Sequence, residues 1–264
     1  MKVVLFCGGL GMRIREYTAN IPKPMVQIGY RPILWYILKY YAHYGHKDFI
    51  LCLGHKGDMI KKYFVDYDET ISNDFVFSKG GRNIELLHTD IDDWTITFVD
   101  TGLDSSIGMR LMAVKDYLKH EDVFLANYSD GLTDLPLNSM IDWFLPQKNK
   151  IAAFVSYNPH FSFHVVKRND DGLVTNINHI GNSGLFINTG YFILRKEIFN
   201  YINYGEELVE EPFQRLISEQ KLVSYNHIGF WRSMDTFKDK QKLEDTFLHG
   251  NPPWEVWRKK HHVK

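Results

Sequence analysis

Apolar positions fall into short blocks through the first 157 residues, and the blocks have two textures. VVLF (3–6), DFILCLG (48–54), WTITFVDTG (94–102), DVFLANY (122–128) and IAAFVSY (151–157) are dense apolar runs. Such runs predict strands buried on both faces. Between them the spacing becomes helical. RPILWYILKYYAHYG (31–45) sets Ile33, Leu34, Ile37, Leu38 and Tyr41 along one stripe and stops at Gly45. GDMIKKYFVDY (57–67), GMRLMAVKDYLKH (108–120) and SMIDWFLPQK (139–148) predict further helices. Strand and helix in alternation argue for an α/β, Rossmann-like fold: a doubly wound, mostly parallel sheet with helices on both faces.

After residue 157 the texture changes. HVVKRNDDGLVTNIN (164–178) reads as two strands joined by an Asp-Asp-Gly turn, and FINTGYFIL (186–194) as another strand. These predict an antiparallel or mixed elaboration of the same sheet. No linker rich in Pro, Gly and Ser separates the halves, so residues 1–264 are expected to form one domain, with halves 1–157 and 158–264. Residues 65–92 are polar and irregular and fit an insertion.

Composition narrows the partners more than the fold. The 31 basic residues balance 32 acidic ones, and the net charge of −1 argues against a nucleic acid or an anionic membrane as partner. The two cysteines, Cys7 and Cys52, sit in apolar strand-like runs, which excludes a disulfide framework and argues against a zinc site. No apolar run approaches the roughly 20 residues of a membrane span, and the amino terminus lacks signal-peptide character. The expected location is the cytoplasm.

Candidate chemistry begins where the first strand ends, in CGGLGMR (7–13). In an open α/β sheet, ligands bind beyond the carboxyl ends of the strands. Gly8, Gly9 and Gly11 would let a bulky anion approach the backbone, and Arg13 and Lys23 would add positive charge. A dinucleotide fingerprint fails because position 14 is Ile, which sets aside a Rossmann oxidoreductase. A P-loop fails because Met12 and Arg13 follow Gly11. Two carboxylates stand out further along: Asp130 in NYSDGLTDL (127–135) and Asp235 in GFWRSMDTFKD (229–239). Each alone fits a cap or turn residue. Together, facing the glycines, they would hold Mg²⁺ through oxygen, with substrate phosphates completing the shell.

The stretches GGLGMR (8–13), PKPM (22–25), GYRPILWYILKYY (29–41), FVDTG (98–102), SDGLTDL (129–135), INTGYFIL (187–194), GFWRSMDT (229–236) and PPWEVW (252–257) resemble the sugar-1-phosphate nucleotidyltransferases, and most closely the bacterial glucose-1-phosphate cytidylyltransferases. The resemblance runs from end to end. It implies that Gly8, Gly9 and Gly11 cradle the nucleotide phosphates, with Ser129 beside the nucleotide. Arg13 and Lys23 would neutralise the leaving pyrophosphate as catalytic residues, and Arg110 would recognise the cytosine. Asp130 and Asp235 would hold the metal, Mg²⁺, and Asn188 and Gly190 would touch the sugar. The implied reaction joins CTP to a phosphorylated acceptor, giving a CDP-linked product and pyrophosphate for polysaccharide supply. Self-association into a homo-oligomer is implied too.

The acceptor half departs from that family's pattern. Ser129 replaces a glycine before the first metal aspartate, and Phe163 stands near a second glycine position. The family's Glu-Lys-Pro, whose lysine grips the sugar phosphate, is replaced around His179 and Ile180, and no lysine lies between Arg168 and Arg195. Losing a charged contact to a reacting phosphate costs about 3 kcal/mol. The expectation is therefore a working enzyme with a changed acceptor site, in which Phe163 reshapes the sugar pocket and Lys167, Arg168 or His179 holds the phosphate. The alternative is a CTP-binding protein with little transfer.

Overall fold

The computed structural model describes residues 1–9, 21–159 and 163–258. The predicted alternation is present. Strand β1 (Val3–Phe6) is followed by the short β2 (Gln27–Ile28) and β3 (Arg31–Pro32), then by helix α1 (Ile33–His43). Next come β4 (Asp48–Leu53), α2 (Gly57–Val65), the hairpin strands β5 (Phe75–Ser78) and β6 (Asn83–Leu86), and β7 (Thr95–Asp100). Helix α3 (Ile107–Ala113) leads to β8 (Val123–Tyr128), β9 (Gly131–Thr133), α4 (Leu137–Phe144) and β10 (Ala152–Tyr157). The second half contains the ribbon β11 (His164–Arg168) and β12 (Val174–His179), then β13 (Ile187–Arg195), α5 (Glu211–Ser218), β14 (Leu222–His227), β15 (Trp231–Ser233) and α6 (Phe237–Leu248).

Seven strands form the main sheet in the order β14-β10-β13-β8-β1-β4-β7. Neighbours pair in parallel except where β13 lies between β10 and β8, antiparallel to both. The mixed elaboration expected from the second half is thus built into the sheet. Successive strand residues point to opposite faces. Val3, Leu5, Phe49 and Leu51 enter one core beneath α1 and α4, while Val4, Phe6, Ile50 and Cys52 enter a second beneath α3 and α5. Burial on both sides is why these strands read as continuous apolar runs.

Helix α1 buries nine of its eleven residues, several of them aromatic. Its buried polar tips are satisfied: Tyr40 donates to the Leu135 carbonyl at 2.7 Å and Tyr36 to that of Ile28 at 2.7 Å. Residues 65–92 are more ordered than their polarity suggested, since β5 and β6 form a hairpin there. A buried polar cluster ties this segment to the core. Asp90 accepts from Lys39 at 2.8 Å, from Tyr67 at 3.0 Å and from Ser72, with the Arg31 guanidinium at 3.8 Å. Cys7 and Cys52 are buried free thiols, as expected. No helix among the described residues is long and apolar enough to cross a membrane.

Candidate active site

A cavity of about 670 Å³ opens at the carboxyl ends of β1 and β8. Its walls include Gly9, Lys23, Arg110, Ser129, Asp130 and Asp235, six of the residues singled out from sequence. Gly11 and Arg13 lie outside the described residues.

The two carboxylates are brought together by a two-stranded ribbon apart from the main sheet. Strand β9 begins directly after Asp130, and β15 ends two residues before Asp235. Their pairing sets Ser233 opposite Gly131, and the Met234 amide donates to the Asp130 carbonyl at 2.8 Å. The register therefore fixes one aspartate beside the other across about a hundred residues of chain. At the far end of the ribbon a polar latch holds it closed. The Phe230 amide donates to Asp134 Oδ1 at 2.7 Å, and Thr133 Oγ1 donates to the Phe230 carbonyl at 2.8 Å. His227 Nε2 lies 3.0 Å from Asp134 Oδ1 and 3.1 Å from the Phe230 carbonyl. Two oxygen acceptors at one ring nitrogen place the imidazole proton on Nε2.

Between the carboxylates sits Lys23. Its ammonium donates to Asp130 Oδ2 at 2.6 Å and to Asp235 Oδ1 at 2.9 Å. Burial works to lower the Lys23 pKa, but the two carboxylates outweigh it and hold the ammonium above its ordinary value. The lysine stands on a single 3₁₀ turn, Lys23–Met25, between Pro22 and Pro24.

The neighbouring glycines play different parts. A Cβ on Gly8 would fall 2.0 Å from Arg110 Nη1, whereas one on Gly9 would meet nothing within 4 Å. Gly8 is thus a space for the arginine, and Gly9 is the position open to a ligand. Arg110 itself is buried. Nη1 donates to the carbonyls of Leu53 (3.2 Å) and Gly102 (2.8 Å) and to Thr101 Oγ1 (2.7 Å). Nη2 donates to the carbonyls of Gly8 and Leu103, both at 3.1 Å. The guanidinium ties together the loops that leave β1, β4 and β7. Ser129 is likewise engaged, donating to the Phe6 carbonyl at 2.7 Å. The Cys7 thiol on the cavity wall is pushed up to about 12 by burial and is therefore an inert lining group at neutral pH.

The expected acceptor residues divide. Asn188 reaches the phenol of Tyr128, which lines the cavity. Gly190 has φ +80°, and a Cβ there would fall 2.4 Å from the Tyr128 ring, so the glycine of INTG makes room for that wall. Phe163, Lys167 and His179 are exposed, at or on the β11–β12 ribbon, and are not among the cavity's lining residues. His179 pairs instead with His164 across the ribbon, ring centroids 5.7 Å apart. Tyr128 and Glu207 line the cavity without having been singled out. Tyr128 could have been found from its place just before Ser129 and Asp130. Glu207 carried no signal, since it sits in an acidic run and serves to accept from the Ile107 amide at 3.0 Å.

The donor set suits a hard divalent cation. Two carboxylates already converge on one cationic group, beside a cavity with room for phosphate and water. Among the described residues no cluster of three or more His, Cys, Asp or Glu forms a closed cage. Such an ion would therefore take its remaining ligands from substrate and solvent.

A family model described as nucleotidyl transferase matches residues 2–240. The chain is 38% identical over 97% of its length to glucose-1-phosphate cytidylyltransferase of Salmonella typhimurium, covering all of that protein. It is 36% identical, again over 97% of its length and all of the relative, to the probable glucose-1-phosphate cytidylyltransferase of Bacillus subtilis. Among solved structures, a UDP-glucose pyrophosphorylase complexed with UDP-glucose superimposes with a TM-score of 0.69 at 16% identity, covering 94% of this chain and 98% of that one. A putative glucose-1-phosphate thymidylyltransferase from Bacillus anthracis gives 0.66 at 15% identity, covering 93% and 94%, and these two likenesses speak to the fold. With its carboxylate pair, its open Gly9 and these relatives over nearly its whole length, the chain belongs to the nucleotidyl transferase family, as a sugar-1-phosphate nucleotidyltransferase on the glucose-1-phosphate cytidylyltransferase side.

Proposed function

We propose that this chain transfers a cytidylyl group from CTP to a sugar 1-phosphate, glucose 1-phosphate or another small phosphorylated acceptor, with Mg²⁺ held by Asp130 and Asp235. The observation that carries the reading is the convergence of Lys23, Asp130 and Asp235 in one cavity with Gly9. A phosphate monoester has its second pKa at about 6 and needs no general base at neutral pH. Its oxygen attacks the α-phosphorus of CTP. A new P–O bond forms as the bond to the β-phosphate oxygen breaks, and pyrophosphate leaves with that electron pair. The barrier lies in bringing polyanions together in line, so positioning and positive charge do the work. When bound, Mg²⁺ supplies charge neutralisation on the phosphates.

In this reading the Gly9 backbone receives the phosphates together with Gly11, and Lys23 and Arg13 neutralise the leaving group. Arg110 faces the cytosine from a fixed position, because five contacts to the surrounding loops set its plane. Ser129 shapes the floor from its bond to Phe6. The acceptor approaches along Tyr128, supported by Asn188 and Gly190. The product would feed polysaccharide synthesis in the cytoplasm. A homo-oligomeric state is supported by two exposed apolar ribbons, with Phe77 63% exposed on one and Ile177 61% on the other.

The test is pyrophosphate release from each of the four ribonucleoside triphosphates against a panel of sugar 1-phosphates. Release with CTP, a hexose 1-phosphate and a divalent ion is expected. CTP binding without release from any acceptor would overturn the transferase reading.

A further inference from the structure

The reading of Asp130 and Asp235 as a metal pair meets a competitor already inside the protein. The Lys23 ammonium lies within hydrogen-bond distance of both carboxylates, at the point where an ion shared by them would sit. The three side chains are only 15%, 26% and 32% exposed, so solvent screens their attraction weakly. The carboxylates cannot readily separate to admit a second cation beside the first. Their spacing is fixed by the β9–β15 register and by the Met234–Asp130 backbone bond. The lysine backbone is also stiff, since Pro22 and Pro24 flank it. What remains mobile is the four-carbon stem of Lys23. An ammonium and a divalent ion a few ångströms apart repel strongly at low local dielectric.

We propose that Lys23 is an internal counter-cation which a divalent ion must displace, and that the displaced ammonium is thereby delivered to the nucleotide's phosphates. This inference rests on the metal-pair reading above and adds an order of events to it. Without nucleotide, an entering ion breaks two short ion pairs and leaves the ammonium without an anion. With nucleotide present, the released ammonium finds the pyrophosphate end of the chain of phosphates. Ion and nucleotide therefore bind with positive coupling, and by linkage each strengthens the other equally. Lys23 guards against unproductive metal uptake as well as neutralising the leaving group.

The experiment measures Mn²⁺ binding without nucleotide, by the electron paramagnetic resonance signal of the free ion, in wild type, Lys23→Met, Asp235→Asn and the double variant. Lys23→Met keeps most of the stem and removes the charge. It is expected to bind Mn²⁺ on the order of tenfold tighter than wild type while losing turnover. Equal or weaker binding by Lys23→Met would overturn the exchange. The two readings fail separately. If Asp235→Asn leaves Mn²⁺ affinity unchanged in both backgrounds, the metal pair itself is wrong. If Asp235→Asn abolishes binding but Lys23→Met does not tighten it, only the exchange is wrong. A wild-type measurement guards against misfolding of the variants. Acetylation of Lys23 by acetic anhydride, read by peptide mass spectrometry, should rise severalfold when the protein is saturated with Mg²⁺, and a rate indifferent to Mg²⁺ would overturn the proposal.

Discussion

Two adjacent glycines show how much one missing methyl group decides. Gly8 gives its space to the Arg110 guanidinium, and Gly9 leaves its space open to the cavity. Gly8→Ala should therefore act through the fold. Displacing a guanidinium with five bonding contacts is expected to cost about 1–3 kcal/mol, seen as a lower Tm, with CTP affinity falling alongside. Gly9→Ala should leave Tm nearly unchanged and weaken CTP binding, because the new methyl group would crowd phosphate rather than protein. Equal effects of the two variants on Tm would contradict this division. At this scale the sequence was legible where chemistry is carried by side chains. Lys23, Asp130 and Asp235 were each found by residue type and position, and they meet. It was silent where side chains serve the backbone. For Arg110 the resemblance implied a base reader, and no sequence signal marked the backbone carbonyls that fix its guanidinium. Nothing in GMRL announces that anchoring. Phe163 and His179 were chosen by aligned position and Lys167 as a substitute cation, and none of the three is on the cavity lining.

At the scale of elements, the β9–β15 ribbon does the positioning, and its latch should be separable from the main core. His227→Leu removes the proton shared by Asp134 and the Phe230 carbonyl. Breaking this buried network should lower stability by about 1–3 kcal/mol and weaken Mn²⁺ binding together. A folded variant that binds Mn²⁺ like wild type would show that the register alone suffices. The 65–92 segment offers a second test. Burial alone would raise the Asp90 carboxyl, but hydrogen bonds from Lys39, Ser72 and Tyr67 outweigh it and hold it below its ordinary value. A depressed carboxyl stabilises the folded state above its ordinary pKa of about 3.9, and that contribution is lost as pH falls through the lower folded value. Asp90→Asn, which leaves Arg31 short of a buried counter-charge, is expected to cost about 3 kcal/mol near pH 7. The gap to wild type in urea melts should close below about pH 4; a gap independent of pH would remove the charge from the account. The hairpin in this segment escaped the sequence reading because Phe75, Val76, Phe77 and Ile84 face solvent, so no burial pattern marked them. Helices α5 and α6 were missed for a related reason. Only Pro212, Phe213 and Leu216 of α5 and Leu243 of α6 are buried, too few for a clear apolar stripe.

For the molecule as a whole, the doubly wound sheet was readable because strands buried on both faces announce themselves, whereas strand order was not. The position of β13, reversed between β8 and β10, follows from pairings that no local pattern encodes. The exposed face of the β11–β12 ribbon sets the prediction at this scale. Val166 and Ile177 pair across it and are 48% and 61% exposed. Sedimentation of the wild type should give a multiple of the 31.0 kDa chain mass. Val166→Lys with Ile177→Lys should shift it to the monomer, and an unchanged mass would place the interface elsewhere. The ribbon that unites Asp130 with Asp235 has one more implication, for synthesis on the ribosome. On the proposed reading, a nascent chain can complete all seven strands of the main sheet and still lack the second carboxylate of its metal pair. Transfer through that pair would wait for Trp231–Ser233 and the aspartate beyond them to emerge and dock, so an interrupted translation product would hold nucleotide without turning it over.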